Sequence, residues 1–318
     1  MLFRAFQYAG IFFIVLFSAF SILLSTSEKD FTKNINDKSF FITYASFFED
    51  RFFDLRMKFT LNKKEIDQQM VLVAIDDNSL NKIGRWPWSR TIIAKVVDKL
   101  KIFGAKVVAF DVFNSEPELA CISESPDKIL SKSIKSFQEI PGNKIIFPYS
   151  VDTKEINLDA NKKFNEELFF KEIPDQLLNF MLDTKQSQGA NLEENLISKK
   201  VYPIPELANS DIGISHIEAY ADSDGVFRHY PIVANIDSLY LPSFSLQAYQ
   251  FFTGDKPVLE IPTSEMAILK TKKGTAYLNF SGETKVRWLG GVSNFPMISI
   301  LDVLKSNDND RNLKKTFR

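Results

Sequence analysis

One cysteine and two histidines are all that this 318-residue chain offers as soft donors. Cys121 has no intramolecular partner, so the fold rests on packing and not on disulfides. So few sulfur and imidazole groups also exclude the usual zinc sites. An excess of positive charge is missing too: 39 basic against 40 acidic residues leave a formal charge of -1, and no Lys/Arg cluster stands out. Binding to phosphate backbones needs such a cluster for counterion release, so nucleic acid is not an expected partner. Catalytic punctuation is absent as well. The chain has no G-x-G-x-x-G, no P-loop, no H-E-x-x-H and no G-x-S-x-G. No catalytic residue and no cofactor is expected from it.

What is present is an uneven distribution of apolar residues. No side chain from Ala5 to Ser27 is charged, and Gly10 to Leu24 is almost wholly apolar. About 20 such residues span a bilayer core of about 30 Å, so residues 9–27 read as a transmembrane helix behind a short cytoplasmic segment, 1–8. A cleaved signal peptide is the rival reading. Arg4 before the span and Glu28, Lys29 and Asp30 after it favour a cytoplasmic N-terminus, which places the remainder outside the cytoplasm. Within residues 28–60, Phe40, Phe41, Tyr44, Phe47, Phe48, Phe52, Leu55 and Phe59 recur at three- and four-residue spacing. That is one face of an amphipathic stalk helix, available to its own domain or to a homodimer seam.

From residue 61 onward the pattern predicts an α/β domain with a mixed, partly parallel sheet flanked by helices. Met70 to Asp76 and Ala105 to Phe113 are short apolar runs of buried-strand type. Between them, Ile92, Ile93, Val96, Val97, Leu100 and Phe103 keep helical spacing up to Gly104, completing a β-α-β unit with a right-handed crossover. A helix around Ile129 to Phe137 and a strand at Lys144 to Tyr149 continue the alternation. Residues 152–201 are polar and aperiodic, apart from a short helix around Ile173 to Met181, and read as a surface excursion. Ile212 to His216 and Gly225 to Ile236 are expected as paired strands, with hairpin chemistry at Asp224-Gly225. A helix at Ser243 to Phe252, strands at Met266 to Lys270 and Thr275 to Phe280 turning at Lys273-Gly274, and a helix from Ile298 complete the series.

Several of these residues also carry a resemblance to a known family. The block Ala74-Ile75-Asp76-Asp77, Ser79-Leu80, Ile83-Gly84-Arg85-Trp86-Pro87-Trp88-Ser89-Arg90 and Ala109-Phe110-Asp111-Val112-Phe113 resembles the CHASE2 family. So do Gly213 with Asp222-Ser223-Asp224-Gly225-Val226-Phe227-Arg228, Pro231 and Leu241-Pro242-Ser243, and more weakly Leu278 to Gly282 with Ile298 to Leu304. The resemblance implies an extracytoplasmic sensor of bacterial receptors, on the inner membrane with its sensor in the periplasm. The outputs that it implies are adenylate or guanylate cyclases, or alternatively serine/threonine kinases, histidine kinases or diguanylate cyclases. It also implies a further strand and membrane helices after Arg318.

Candidate site residues follow from position. Asp76, Asp77 and Asp111 end two strands expected to be parallel, the edge where open α/β sheets place ligands. They could hold a cation, or cap turns and pair with Arg85 and Arg90. Trp86 and Trp88 around Pro87 suit either a structural lid or a stacking platform for a flat ligand. Asp222 and Asp224 have calcium-loop spacing, but Val233 stands where the closing carboxylate is needed, so a turn clamped by Arg228 is expected. His216 and His229 are conceivable pH sensors, although a structural role is favoured. Two rival functions remain open: an extracytoplasmic scaffold that transduces nothing, and a hydrolase with Asp76, Asp77 and Asp111 around a magnesium or calcium ion. The partners expected are the membrane and an unknown small ligand or protein signal.

Overall fold

The computed structural model describes residues 35–61, 68–119, 124–153, 172–222 and 224–317. The chain divides after Asn62 into two units. In the first, helix α1 (Ile35–Thr60) is 26 residues long and leaves Phe48, Phe52, Leu55 and Phe59 exposed, at the spacing of one helix face. The apolar run assigned to the membrane lies outside the described residues. Among the described residues no helix is long and apolar enough to cross a membrane.

The second unit opens with β1 (Leu72–Ala74), α2 (Asp77–Ile83), α3 (Arg90–Phe103) and β2 (Val107–Ala109). Helix α3 forms where the periodicity places it. The Ser89 side chain accepts from Thr91 N–H at its start, and Gly104, at φ 94, donates to Leu100 and Lys101 at its end. Val97 and Phe103 on its inner face are fully buried. Next come α4 (Pro126–Gln138) and β3 (Lys144–Tyr149), then β4 (Val151–Thr153), α5 (Asp175–Leu178), β5 (Asp183–Gln186), β6 (Asn195–Ile197), α6 (Pro205–Ala208) and β7 (Gly213–His216). Strands β2, β3 and β7 form a parallel sheet in that order, registered by Val107 opposite Lys144 and Ile146 opposite Gly213. β3 is buried almost throughout, which is why its run is uniformly apolar instead of alternating.

The remaining elements are β8 (His229–Pro231), β9 (Val233–Ile236), β10 (Leu239–Pro242), α7 (Phe244–Thr253), β11 (Val258–Thr263), β12 (Met266–Thr271), β13 (Gly274–Asn279), β14 (Glu283–Lys285), β15 (Met297–Ser299), α8 (Ile300–Lys305) and α9 (Arg311–Thr316). β12 and β13 pair antiparallel with Lys270 opposite Thr275, around the turn read from Lys273-Gly274. They belong to a sheet ordered β13-β12-β11-β5. A second hydrophobic core, with Leu182, Leu192, Leu259, Ile261, Ala267 and Leu278, lies apart from the core built on α3, α4 and β3. Leu182, Leu192 and β5 belong to the polar stretch expected to be a surface excursion. Its single apolar residues are buried one at a time, so it has no periodicity to betray them.

Two pairings differ from expectation. The Asp224-Gly225 turn joins no hairpin: β8 pairs with β14, and β9 pairs with β10 across Asp237 and Ser238, which take φ 49 and 64. Those left-handed values are the geometry of a two-residue hairpin turn, here without glycine. The second difference concerns the β-α-β unit. β1 pairs in parallel with β15, not with β2, so its two strands belong to separate ladders.

Candidate functional site

Asp76 follows β1 and caps α2. Its Oδ1 accepts from Ser79 N–H at 2.9 Å and from Ser299 Oγ at 2.9 Å. The Ser79 backbone hydrogen bond, opposed by desolvation and helped by the Ser299 and Ser79 side chains, holds its carboxyl below the usual range. Asp77 sits exposed in the first turn of that helix, and Asp111 is exposed beyond β2. Among the described residues no group of three or more His, Cys, Asp or Glu side chains is placed to hold a metal ion. The cation reading of Asp76, Asp77 and Asp111 therefore has no cage behind it.

The arginine partners are not those expected. Arg85 is exposed and makes no ion pair among the described residues. Arg90 turns to Asp127, its Nε 3.5 Å from Oδ1, with the carboxylate only 3% exposed. Asp127 Oδ2 also accepts Glu118 N–H at 2.9 Å, while Glu118 Oε2 accepts Arg90 N–H at 2.6 Å. The pair thus ties the starts of α3 and α4 to the 116–118 loop. Sequence position alone could not select Asp127, 37 residues beyond Arg90. Trp88 is buried and donates from Nε1 to Gly84 O at 2.7 Å. Trp86 meets it edge-on, ring centroids 5.4 Å apart, across a cis Trp86-Pro87 bond. With its edge bonded and one face covered, Trp88 is spent on the fold, whereas Trp86 is half-buried.

The 222–228 segment closes around its own arginine. Arg228 is 1% exposed, and its guanidinium donates to Asp222 Oδ2 at 2.8 Å and to Asp224 Oδ1 and Oδ2 at 2.9 and 2.8 Å. His229 Nδ1 lies 3.2 Å from Asp222 Oδ1, and Gly225 N–H donates to Asp222 O at 2.8 Å. Both carboxylates that might have faced a calcium ion face a buried cation instead.

A cluster missed in the sequence sits at the C-terminal ends of β3 and β7. Tyr149 and His216 are fully buried, with ring centroids 6.3 Å apart. His216 Nδ1 is 3.9 Å from Glu218 Oε2. Among the described residues, the Tyr149 hydroxyl, both His216 ring nitrogens and Glu218 Oε2 are buried without a hydrogen-bond partner. Glu218 Oε1 meets the Ser150 hydroxyl and Val151 N–H. Burial pushes the Glu218 carboxyl up and the His216 imidazole down to about 3. Polar groups left unmatched at the carboxyl edge of a parallel sheet are the chemistry that receives a small polar molecule or ordered water. The rule that led to Asp76 and Asp111 applied better to β3 and β7, whose pairing was not visible.

The imidazole has a measurable consequence. Unfolded His216 takes up a proton near pH 6.5, whereas the folded side chain resists until about 3. Between these values the unfolded state binds more protons, so stability falls as pH drops, by about 1.4 kcal/mol per pH unit. Urea denaturation at pH 7, 6 and 5 is expected to show this slope in the parent protein and to lose it in His216→Gln. Equal slopes in the two proteins would mean that the folded imidazole takes up its proton at the same pH as the unfolded one.

A model of the CHASE2 domain matches residues 37–317. No curated protein and no solved structure matches the chain.

Proposed function

Because the chain belongs to the CHASE2 family of extracytoplasmic sensor domains, we propose that it is the sensory input of a bacterial transmembrane receptor whose output is a cytoplasmic adenylate or guanylate cyclase. The observation that carries this reading is the extent of the family match, from within α1 to the end of α9. It takes in the Trp86-Pro87-Trp88 loop, the Arg228 clasp and both hydrophobic cores. The uncharged run from Ala5 to Ser27 supports a membrane anchor ahead of it, with the sensor in the periplasm. The ligand is a small polar molecule, and the unmatched groups of Tyr149, His216 and Glu218 favour the C-terminal sheet edge as its site. To signal, it must bind the two receptor states unequally, since equal affinity shifts nothing.

Two measurements test the proposal. A reporter enzyme active only outside the cytoplasm, fused after Leu61, is expected to be active in intact cells. Silence there, with activity from a cytoplasm-specific reporter, would reverse the orientation. Membranes carrying the full-length protein are expected to synthesise a cyclic nucleotide. Phosphotransfer without such synthesis would move the output to a kinase while leaving the sensor reading intact.

A further inference from the structure

The buried groups at the ends of β3 and β7 narrow what they can receive. Among the described residues no lysine or arginine reaches the Glu218 carboxylate. Its one basic neighbour is the His216 imidazole, and burial keeps that ring neutral down to about pH 3. The carboxylate is nevertheless held for a purpose. Oε1 accepts the Ser150 hydroxyl and, at 2.9 Å, Val151 N–H, which fixes the group and leaves Oε2 as an acceptor without a donor. Burial outweighs those two bonds and pushes the carboxyl up, as it does for a buried charge that lacks its counterpart.

His216 Nδ1 and Glu218 Oε2 are 3.9 Å apart, too far for a hydrogen bond but close enough for a single atom to lie about 2.9 Å from both. The Tyr149 hydroxyl is the third group without a partner. Burial, and after it the Glu218 charge, push that hydroxyl well above the ordinary phenol range, so the phenol stays protonated and within electrostatic reach of the carboxylate. Aromatic faces surround the same place: the Tyr149 ring centroid is 6.2 Å from that of Tyr202 and 6.3 Å from that of His216. The cluster therefore offers three acceptors, namely Oε2, the Tyr149 oxygen and the unprotonated nitrogen of a neutral imidazole. A water has two hydrogens, so it leaves one acceptor unmet and the carboxylate uncompensated. An anion is repelled by Glu218. Among the described residues no three His, Cys, Asp or Glu side chains converge to hold a metal ion. An ammonium group brings three N–H donors together with the missing positive charge, and aromatic faces attract such a cation.

We infer that this sheet edge binds a primary ammonium group, the ammonium ion itself or the head of a small primary amine, which donates to Glu218 Oε2, the Tyr149 oxygen and His216 Nδ1. The inference rests on the reading of this edge as the ligand site and supplies the chemical class of the ligand. Tyr149 and His216 are fully buried, while the Glu218 side chain is 11% exposed. An amine thus enters head first past Glu218.

Titration of the full chain with ammonium chloride and with methylammonium chloride, at constant ionic strength, is the test. At least the ammonium ion is expected to raise the unfolding midpoint in a saturable way, because a ligand held only by the folded state stabilises it. Saturation by both cations supports an amine head as ligand, and saturation by ammonium alone supports the free ion. Potassium chloride and tetramethylammonium chloride, whose cations have no N–H to donate, are expected to leave the midpoint unchanged. Glu218→Gln is expected to weaken binding about tenfold or more and Tyr149→Phe about three- to tenfold, since each removes one hydrogen bond and the first also removes the charge. Tyr149→Phe deletes only a hydroxyl without a partner, so it keeps the fold intact for the measurement. Absence of saturation, an equal response to potassium, or undiminished affinity in both variants would overturn the inference. Binding that leaves cyclic-nucleotide synthesis by membranes unchanged would uphold it and remove the site from signalling. Absence of binding alongside synthesis that responds to a different ligand would overturn it and spare the receptor reading.

Discussion

Replacing Arg228 with methionine is expected to lower unfolding stability by about 3–5 kcal/mol, the cost of stranding the partners of a buried ion pair. The side chain is 1% exposed and holds two carboxylates through three charge-assisted bonds of 2.8 to 2.9 Å. Without the guanidinium, Asp222 and Asp224 keep two negative charges side by side, at 21% and 25% exposure. Water reaches them only in part. Urea denaturation of the single variant measures the loss, and a change below about 1 kcal/mol would show the clasp to be dispensable. The triple variant Asp222→Asn, Asp224→Asn, Arg228→Met separates the causes. It is expected to recover part of the stability, because the stranded charge, and not the missing attraction, is the larger penalty.

Gly282→Ala is expected to cost a comparable amount, about 2–5 kcal/mol, through the backbone. Gly282 sits at φ +75, and a Cβ there would lie 2.2 Å from the Val233 carbonyl oxygen. That oxygen cannot retreat. Val233 is held in β9 opposite Pro242, while Ile232 and Val233 N–H both donate to Gly282 O, at 2.9 and 3.3 Å. Overpacking costs about 1–3 kcal/mol and the left-handed conformation about 1–2 more. Gly225→Ala is the control: its φ is +80, but nothing lies within 4 Å of the new atom. It should show only the conformational part. Equal losses at the two glycines, measured by thermal or urea unfolding, would argue that contact with β9 carries no weight.

How legible the molecule was depended on how far apart its contacts are in the chain. Helix α3 and its Gly104 stop, strand β3 and the β12–β13 turn at Lys273-Gly274 are specified within about fifteen residues, and local pattern is enough to find them. The Arg228 clasp was readable for the same reason, since Asp222 and Asp224 lie six and four residues away. Arg90 was given the wrong partners because Asp127 comes near it only through the packing of α3 on α4. Asp224-Gly225 carried stronger hairpin chemistry than Asp237-Ser238, yet only the latter separates strands that pair. The Tyr149, His216 and Glu218 cluster exists only because β3 and β7 are neighbours, and no residue pattern announced that adjacency.

The bond from Ser299 Oγ to Asp76 Oδ1 joins residues 223 positions apart, and β1 has no hydrogen-bonded strand other than β15 among the described residues. During synthesis, the leading strand of this domain must therefore wait, greasy and unzipped, until nearly the whole domain has left the ribosome. Contacts of such long reach form slowly. A nascent chain of this kind has a wide window in which its open edge can recruit the wrong neighbour, so holding factors during export would matter more to it than to a domain that zips up from its beginning.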